Sequence, residues 1–169
     1  KPEGESSGTT IPADALVFDE GTGLTHQAGE STPLTGKAVW YYPSGQIEQE
    51  SSYLNGKEHG REIWWHESGG RAGQSEYKDG VLDGLTIQWY PDGEKMEFQT
   101  LFHNGKQQGR EIWWHTNGKE MSVTPFVNGE RQGKAKGWFE DGKLAWEADW
   151  EADEAHGKYL ERFESGQPK

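Results

Sequence analysis

The chain has 169 residues, of which 31% are apolar and 24 are glycine, and it has no cysteine. That composition is too poor for a thick globular core, and it excludes disulfides, Cys-ligated zinc and thiol catalysis. A formal net charge of -12 repels phosphate backbones and anionic headgroups, which argues against nucleic acid and acidic membranes as partners, and no run of 18 apolar residues is present to span a bilayer.

Residues 1–15, beginning KPEGESSGTTIPAD, are rich in Pro, Gly, Ser and Thr and read as a flexible tether ahead of a folded region over residues 16–169. A start at Lys1 without Met fits either a trimmed chain or an exported protein whose signal has been removed. The expectation is therefore a periplasmic, surface or lipid-anchored location, with any anchoring residue before Lys1; the cytoplasm is the alternative.

From Gly36 onward three lines run in one register. Gly36, Gly60, Gly84, Gly109, Gly133 and Gly157 form the first, and Gly45, Gly69, Gly93, Gly118, Gly142 and Gly166 the second. The third is aromatic: Tyr53, Tyr77, Phe102, Phe126 and Trp150. The period is about 24 residues, room for two strands and two turns. One extra residue falls between Gly93 and Gly105, where a β-bulge or a longer strand is expected. Each unit opens with a strand of the type KAVWYY or REIWWH, ended by turns such as PSG or TNG; the second strand mostly ends at NG or DG, dipeptides suited to tight hairpins. The predicted fold is all-β: an elongated single-layer antiparallel meander of six hairpin units, irregular at both ends.

WYYPSG followed by YLNGKEHG, and WYPDG followed by FHNGKQQG, resemble the variant MORN repeat over roughly Leu34 to Gly166. Similar proteins are commonly labelled YwqK-type antitoxins, so the resemblance implies a repeat scaffold that neutralises a protein partner. The chain departs from the pattern at its end, where Arg162 stands in the tryptophan column and Asp153 replaces a turn glycine, as suits a polar terminal cap.

REIWWH occurs twice and carries two adjacent tryptophans each time. Alternation puts Val39, Ile63, Ile87 and Ile112 on one face with Tyr41, Trp65, Trp89, Trp114 and Trp138, the expected packed face. The other face holds Ala38, Glu62, Thr86, Glu111 and Gln88, with Trp40, Trp64 and Trp113 as surplus aromatics. These three tryptophans are either a second apolar layer or a recognition stripe. Together with Tyr42, His66, Tyr90 and His115 they are the candidate partner-binding residues.

His66 and His115 stand two repeats apart and cannot share a metal, and the acidic run EADWEADE lacks calcium-loop spacing. No phosphate-binding glycine motif and no nucleophile–base constellation appears, so no catalytic, cofactor or metal residue is assigned. The expected function is a non-enzymatic protein-interaction scaffold, antitoxin- or immunity-like, with a protein partner such as a basic toxin. The alternative is a glycan- or choline-type ligand module, since WYY before a turn glycine also resembles choline-binding repeats.

Overall fold

The protein is described by a computed structural model covering residues 9–168. It is all-β, most of it one long sheet that does not close into a barrel. Five hairpins follow one another: β4 (Gly36–Tyr41) with β5 (Ile47–Leu54), β6 (Lys57–Trp65) with β7 (Arg71–Lys78), β9 (Gly84–Trp89) with β10 (Met96–His103), β11 (Lys106–Trp114) with β12 (Glu120–Val127), and β14 (Gly133–Trp138) with β15 (Leu144–Glu151). The final strand β16 (Glu154–Glu161) pairs with β15, and the two-residue strands β8 (Val81–Leu82) and β13 (Glu130–Arg131) extend β7 and β12. All these pairings are antiparallel.

The N-terminal edge departs from the meander. Strand β1 (Thr9–Pro12) pairs parallel with β4, setting Ile11 opposite Ala38, and Ile11 is 3% exposed in a cluster with Leu34 and Ala38. From Thr9 onward the segment expected to be a tether is therefore part of the fold, because Ile11 fills an apolar slot that open water would penalise. Residues 1–8 of that tether lie outside the described residues. A separate hairpin, β2 (Leu16–Asp19) and β3 (Leu24–Gln27), follows and is tied to the first repeat by the Thr25 N–H, which donates to Gly56 O.

Both ends of the strands are laced from repeat to repeat. Asn55 and Gly56 take φ of 50° and 80°, the pair of left-handed conformations a two-residue hairpin turn requires. The same turn recurs at Asp79–Gly80, Asn104–Gly105 and Asn128–Gly129, and each of these three glycine N–H groups donates to a carbonyl just past the preceding turn: Gly80 to Glu58, Gly105 to Leu82 and Gly129 to Gln107. At the last turn Ala152 and Asp153 adopt these angles without a glycine, and Arg131 holds Asp153 with hydrogen bonds to its carboxylate and carbonyl.

At the opposite end the column Tyr42, His66, Tyr90 and His115 forms a second lacing. Tyr42 Oη donates to Trp65 O at 2.7 Å and Tyr90 Oη to Trp114 O; His66 Nε2 stands 3.4 Å from Trp89 O and His115 Nε2 2.9 Å from Trp138 O. The extra residue near Gly93 sits here, in the turn rather than in a strand. The Tyr90 N–H reaches five residues on, to Lys95 O, where Tyr42, His66, His115 and Phe139 reach four, and the Asp92 carboxylate caps the surplus N–H groups of Glu94 and Lys95. Strand β10 keeps the eight residues of its counterparts.

Candidate functional site

Register and side-chain alternation divide the sheet into two faces of different chemistry. The front face has three rows. The middle row is small: Ala38, Ser51, Ser75, Thr86, Thr100, Thr124, Ala135 and Ala148, interrupted by Glu62 and Glu111 and ended by Tyr159. One flank holds Trp40, Trp64, Phe98, Trp113 and Trp146; the other holds the aromatic line Tyr53, Tyr77, Phe102, Phe126 and Trp150. Rings two residues away along a strand are long enough to cover a small neighbour, and Ala38 (0%), Ser51 (1%), Thr100 (1%) and Ala135 (1%) are accordingly sealed. Their hydroxyls are satisfied: Ser75 and Thr86 bond each other at 3.0 Å, Gln49 donates to Ser51, and Gln107 donates to Thr100.

Most of the full burial therefore lies on the face expected to be polar, although Val39 and Val123 are also buried on the face expected to be packed. The deepest burial lies beside Trp40, Trp64 and Trp113, each half-buried and each packed within the protein. Trp40 packs on the Ile11–Leu34–Ala38 cluster. Trp64 lies over Gly73, where an added Cβ would stand 2.1 Å from its ring, and Trp146 covers Gly137 in the same way. Trp113 meets Phe98 with ring centroids 4.5 Å apart, and its indole N–H donates to Glu111. The back face carries Trp65, Trp89, Trp114 and Trp138, also half-buried, with Tyr41 exposed at the column's start.

Charge separates the faces further. On the back face cations and anions meet across strands: Lys37 with Glu50, Arg110 with Glu120, Lys134 with Glu147 and Asp149, and Lys136 with Glu147, while the Arg71 guanidinium lies over Trp89. On the front face Arg131 stacks 3.6 Å from the centre of Trp150 and is held by Asp153. Among the described residues no Lys, Arg or His pairs with Glu58, Glu62 or Glu111.

The two REIWWH glutamates each accept from a glutamine amide, from the neighbouring strand at Glu62 and from its own strand at Glu111. Glu62 accepts from Gln49 Nε2 at 2.7 Å and from Ser51 Oγ at 3.4 Å, and the Tyr77 hydroxyl stands near it. Glu111 accepts from Gln107 Nε2 at 2.8 Å and from Trp113 Nε1 at 3.2 Å. Burial pushes the carboxyls of Glu58 and Glu62 above the usual carboxylate range, and Glu62 adds to the effect at Glu58. The hydroxyls of Tyr53 and Tyr77 are both pushed up to about 12, by burial first and then by these two carboxylates. A shallow depression lined by Tyr42, Glu48, Gln49, Glu62, Trp64 and Trp65 opens beside the Glu62 group. Of the residues singled out from sequence, the structure thus brings Tyr42 and Trp64 together, while the polar tips of Tyr42, His66, Tyr90 and His115 bond inward to the backbone. Glu62, Glu111, Glu58, Tyr53 and Tyr77 were not singled out.

A pH dependence follows with a defined sign. An unfolded tyrosine titrates near 10, so between about pH 10 and 12 the unfolded chain releases phenolic protons that the folded protein keeps. Stability is fully present below that window and is lost across it. The double variant Tyr53→Phe/Tyr77→Phe is expected to flatten this loss in thermal melts, and an unchanged slope would remove these phenols as its cause. For Glu62 the raised value makes the ionised form the costly one, so Glu62→Gln is expected to melt no lower than the parent at pH 7.

Among the described residues no group of three His, Asp or Glu side chains is placed to hold a metal ion, and no helix is long and apolar enough to cross a membrane. No curated protein matches the chain. Over residues 34–55 and 58–79, the stretches of the β4–β5 and β6–β7 hairpins, the chain is similar to the MORN repeat variant, whose family model matches both.

Proposed function

We propose that the chain is a non-catalytic scaffold that binds a basic protein partner across its front face, in the manner of an antitoxin or immunity protein. The observation that carries this reading is the set of half-buried front-face glutamates with no cationic partner among the described residues, framed by aromatics, on a sheet whose cross-strand Lys/Arg–Glu pairs lie on the back face. Burial penalises the charge on Glu62, so the fold gains nothing from it, whereas an incoming cation would recover the desolvation already incurred. The part-exposed rings of Trp40, Trp64 and Trp113 flank the acids and offer ring edges and faces to cationic side chains. MORN repeats commonly mediate protein or membrane-lipid binding and are generally non-catalytic, which agrees with a binding role; the net charge of -12 favours the protein over an anionic lipid surface.

A second reading keeps the same groups: Tyr53 and Tyr77 beside Glu58 and Glu62 also suit a choline-type ammonium. Titration with a lysine- and arginine-rich peptide, with choline and with a neutral oligosaccharide decides between them. The proposal expects the peptide to bind and its affinity to fall steeply as salt rises from about 0.05 to 0.5 M, because charge-steered contacts are screened over that range. Binding of choline or the sugar alone would overturn it.

A further inference from the structure

The two REIWWH glutamates are copies of one structural position, and their separation is set by the sheet. Glu62 lies on β6 and Glu111 on β11, both in the middle front row: Glu62 pairs with Ser75, the Ser75 hydroxyl bonds that of Thr86, Thr86 pairs with Thr100, and Gln107 donates to both Thr100 and Glu111 across the bulge between β10 and β11. That path is four strand spacings, about 19 Å before twist shortens it. Ser75, Thr86 and Thr100 are uncharged and buried, so nothing between the two carboxylates offers a third anionic contact. The equivalent positions in the first and fifth repeats are Ala38 and Ala135, also buried and uncharged. The front row therefore presents two negative points a fixed distance apart, each held in place by a glutamine amide and one further donor: Gln49 and Ser51 at Glu62, Gln107 and Trp113 at Glu111.

We infer that Glu62 and Glu111 act as a two-point gauge for an extended segment of the basic partner that crosses the strands with cationic side chains six residues apart. This rests on the binding reading above and specifies its geometry. An extended chain rises about 3.3 Å per residue, so positions i and i+6 stand about 20 Å apart, and with a side-chain period of two they point the same way. Positions i and i+3 span only about 10 Å and point oppositely, so they cannot meet both carboxylates. Arginine suits each point best, since its planar fork can pair with a carboxylate while its flat face lies against Trp64 or Trp113.

The test uses the whole chain and synthetic peptides of one length and one net charge: a Ser/Gly/Thr background with two arginines at i and i+6, at i and i+4, or at i and i+3, titrated at low salt and followed by tryptophan fluorescence or calorimetry. The i, i+6 peptide is expected to bind about fivefold to tenfold more tightly than the i, i+3 peptide, the range for one additional partly desolvated ion pair. In Glu62→Gln and in Glu111→Gln, each of which keeps the shape of the side chain, that preference is expected to vanish while the i, i+3 peptide changes by less than about threefold. The spacing series on the unaltered protein stands even if a variant fails to fold. Equal affinity for all spacings, with salt-sensitive binding retained, would overturn the gauge and leave the scaffold reading standing. Failure of every arginine peptide, and of the lysine- and arginine-rich peptide as well, would overturn both.

Discussion

Gly73→Ala is expected to lower the stability of the protein by about 1–3 kcal/mol, the range for overpacking a filled site. For a chain of this size that is a fall of several degrees in the melting temperature. The backbone at Gly73 is not the reason, since it needs no left-handed angle; the space is. A methyl group there would stand 2.1 Å from the six-membered ring of Trp64, directly across the strand pair. Trp64 would have to leave its place over β7, uncovering Ser75 and the Glu62 group beside it. The cause is identified by the double variant. Once Trp64 is alanine, the three atoms nearest the methyl at residue 73 are gone, so Gly73→Ala should then cost little, and the two changes should be strongly non-additive. Equal costs in both backgrounds would show that Trp64 does not cover Gly73. Gly137 and Trp146 repeat the contact three repeats further along the same sheet and provide an independent copy of the test.

The repeat, the hairpins and their turns were legible because they depend on local chemistry. Asn-Gly and Asp-Gly turns, the two glycine series and the aromatic line each need only a few adjacent residues to declare themselves, and the strands appear where those signals put them. The faces were not legible by counting apolar residues. Val39, Ile63, Ile87 and Ile112 with their tryptophans outweigh a column of Ala38, Glu62, Thr86 and Glu111, yet Ala38 and Thr86 of the latter are buried while Ile63, Ile87 and Ile112 are only half-buried. Small residues beneath aromatics carry the packing here, and hydropathy gives them little weight. A signal for this was present in the second strands, where a small residue precedes each aromatic by two: Ser51 before Tyr53, Ser75 before Tyr77, Thr100 before Phe102, Thr124 before Phe126, Ala148 before Trp150.

The long-range features were hidden for a different reason. Ile11 is a lone apolar residue in a polar segment, and only the open side of β4 shows that a parallel strand can dock there. The inward bonds of Tyr42, His66, Tyr90 and His115 join residues 23 or 24 apart, a separation the repeat length allows but does not announce. The surplus residue near Gly93 was assigned to a strand because bulges are the usual home for one extra residue; Asp92, whose carboxylate can cap two N–H groups, made the turn the cheaper place.

The largest effect on function is expected from removing front-face charge without changing anything else. Glu58→Gln/Glu62→Gln/Glu111→Gln neutralises three carboxylates that have no cationic partner among the described residues, whereas Glu50→Gln/Glu120→Gln/Glu147→Gln neutralises three on the back face, each paired with Lys or Arg across a strand. The two triple variants have the same net charge and differ only in where it is lost, so steering by overall charge acts on both alike. Measured against one basic peptide rich in lysine and arginine, at one salt concentration, the front-face variant is expected to lose about tenfold or more in affinity, as when several partly desolvated pairs are removed together, and the back-face variant less than about threefold. Equal losses in the two, or a greater loss from the back-face variant, would contradict a binding site on the front face.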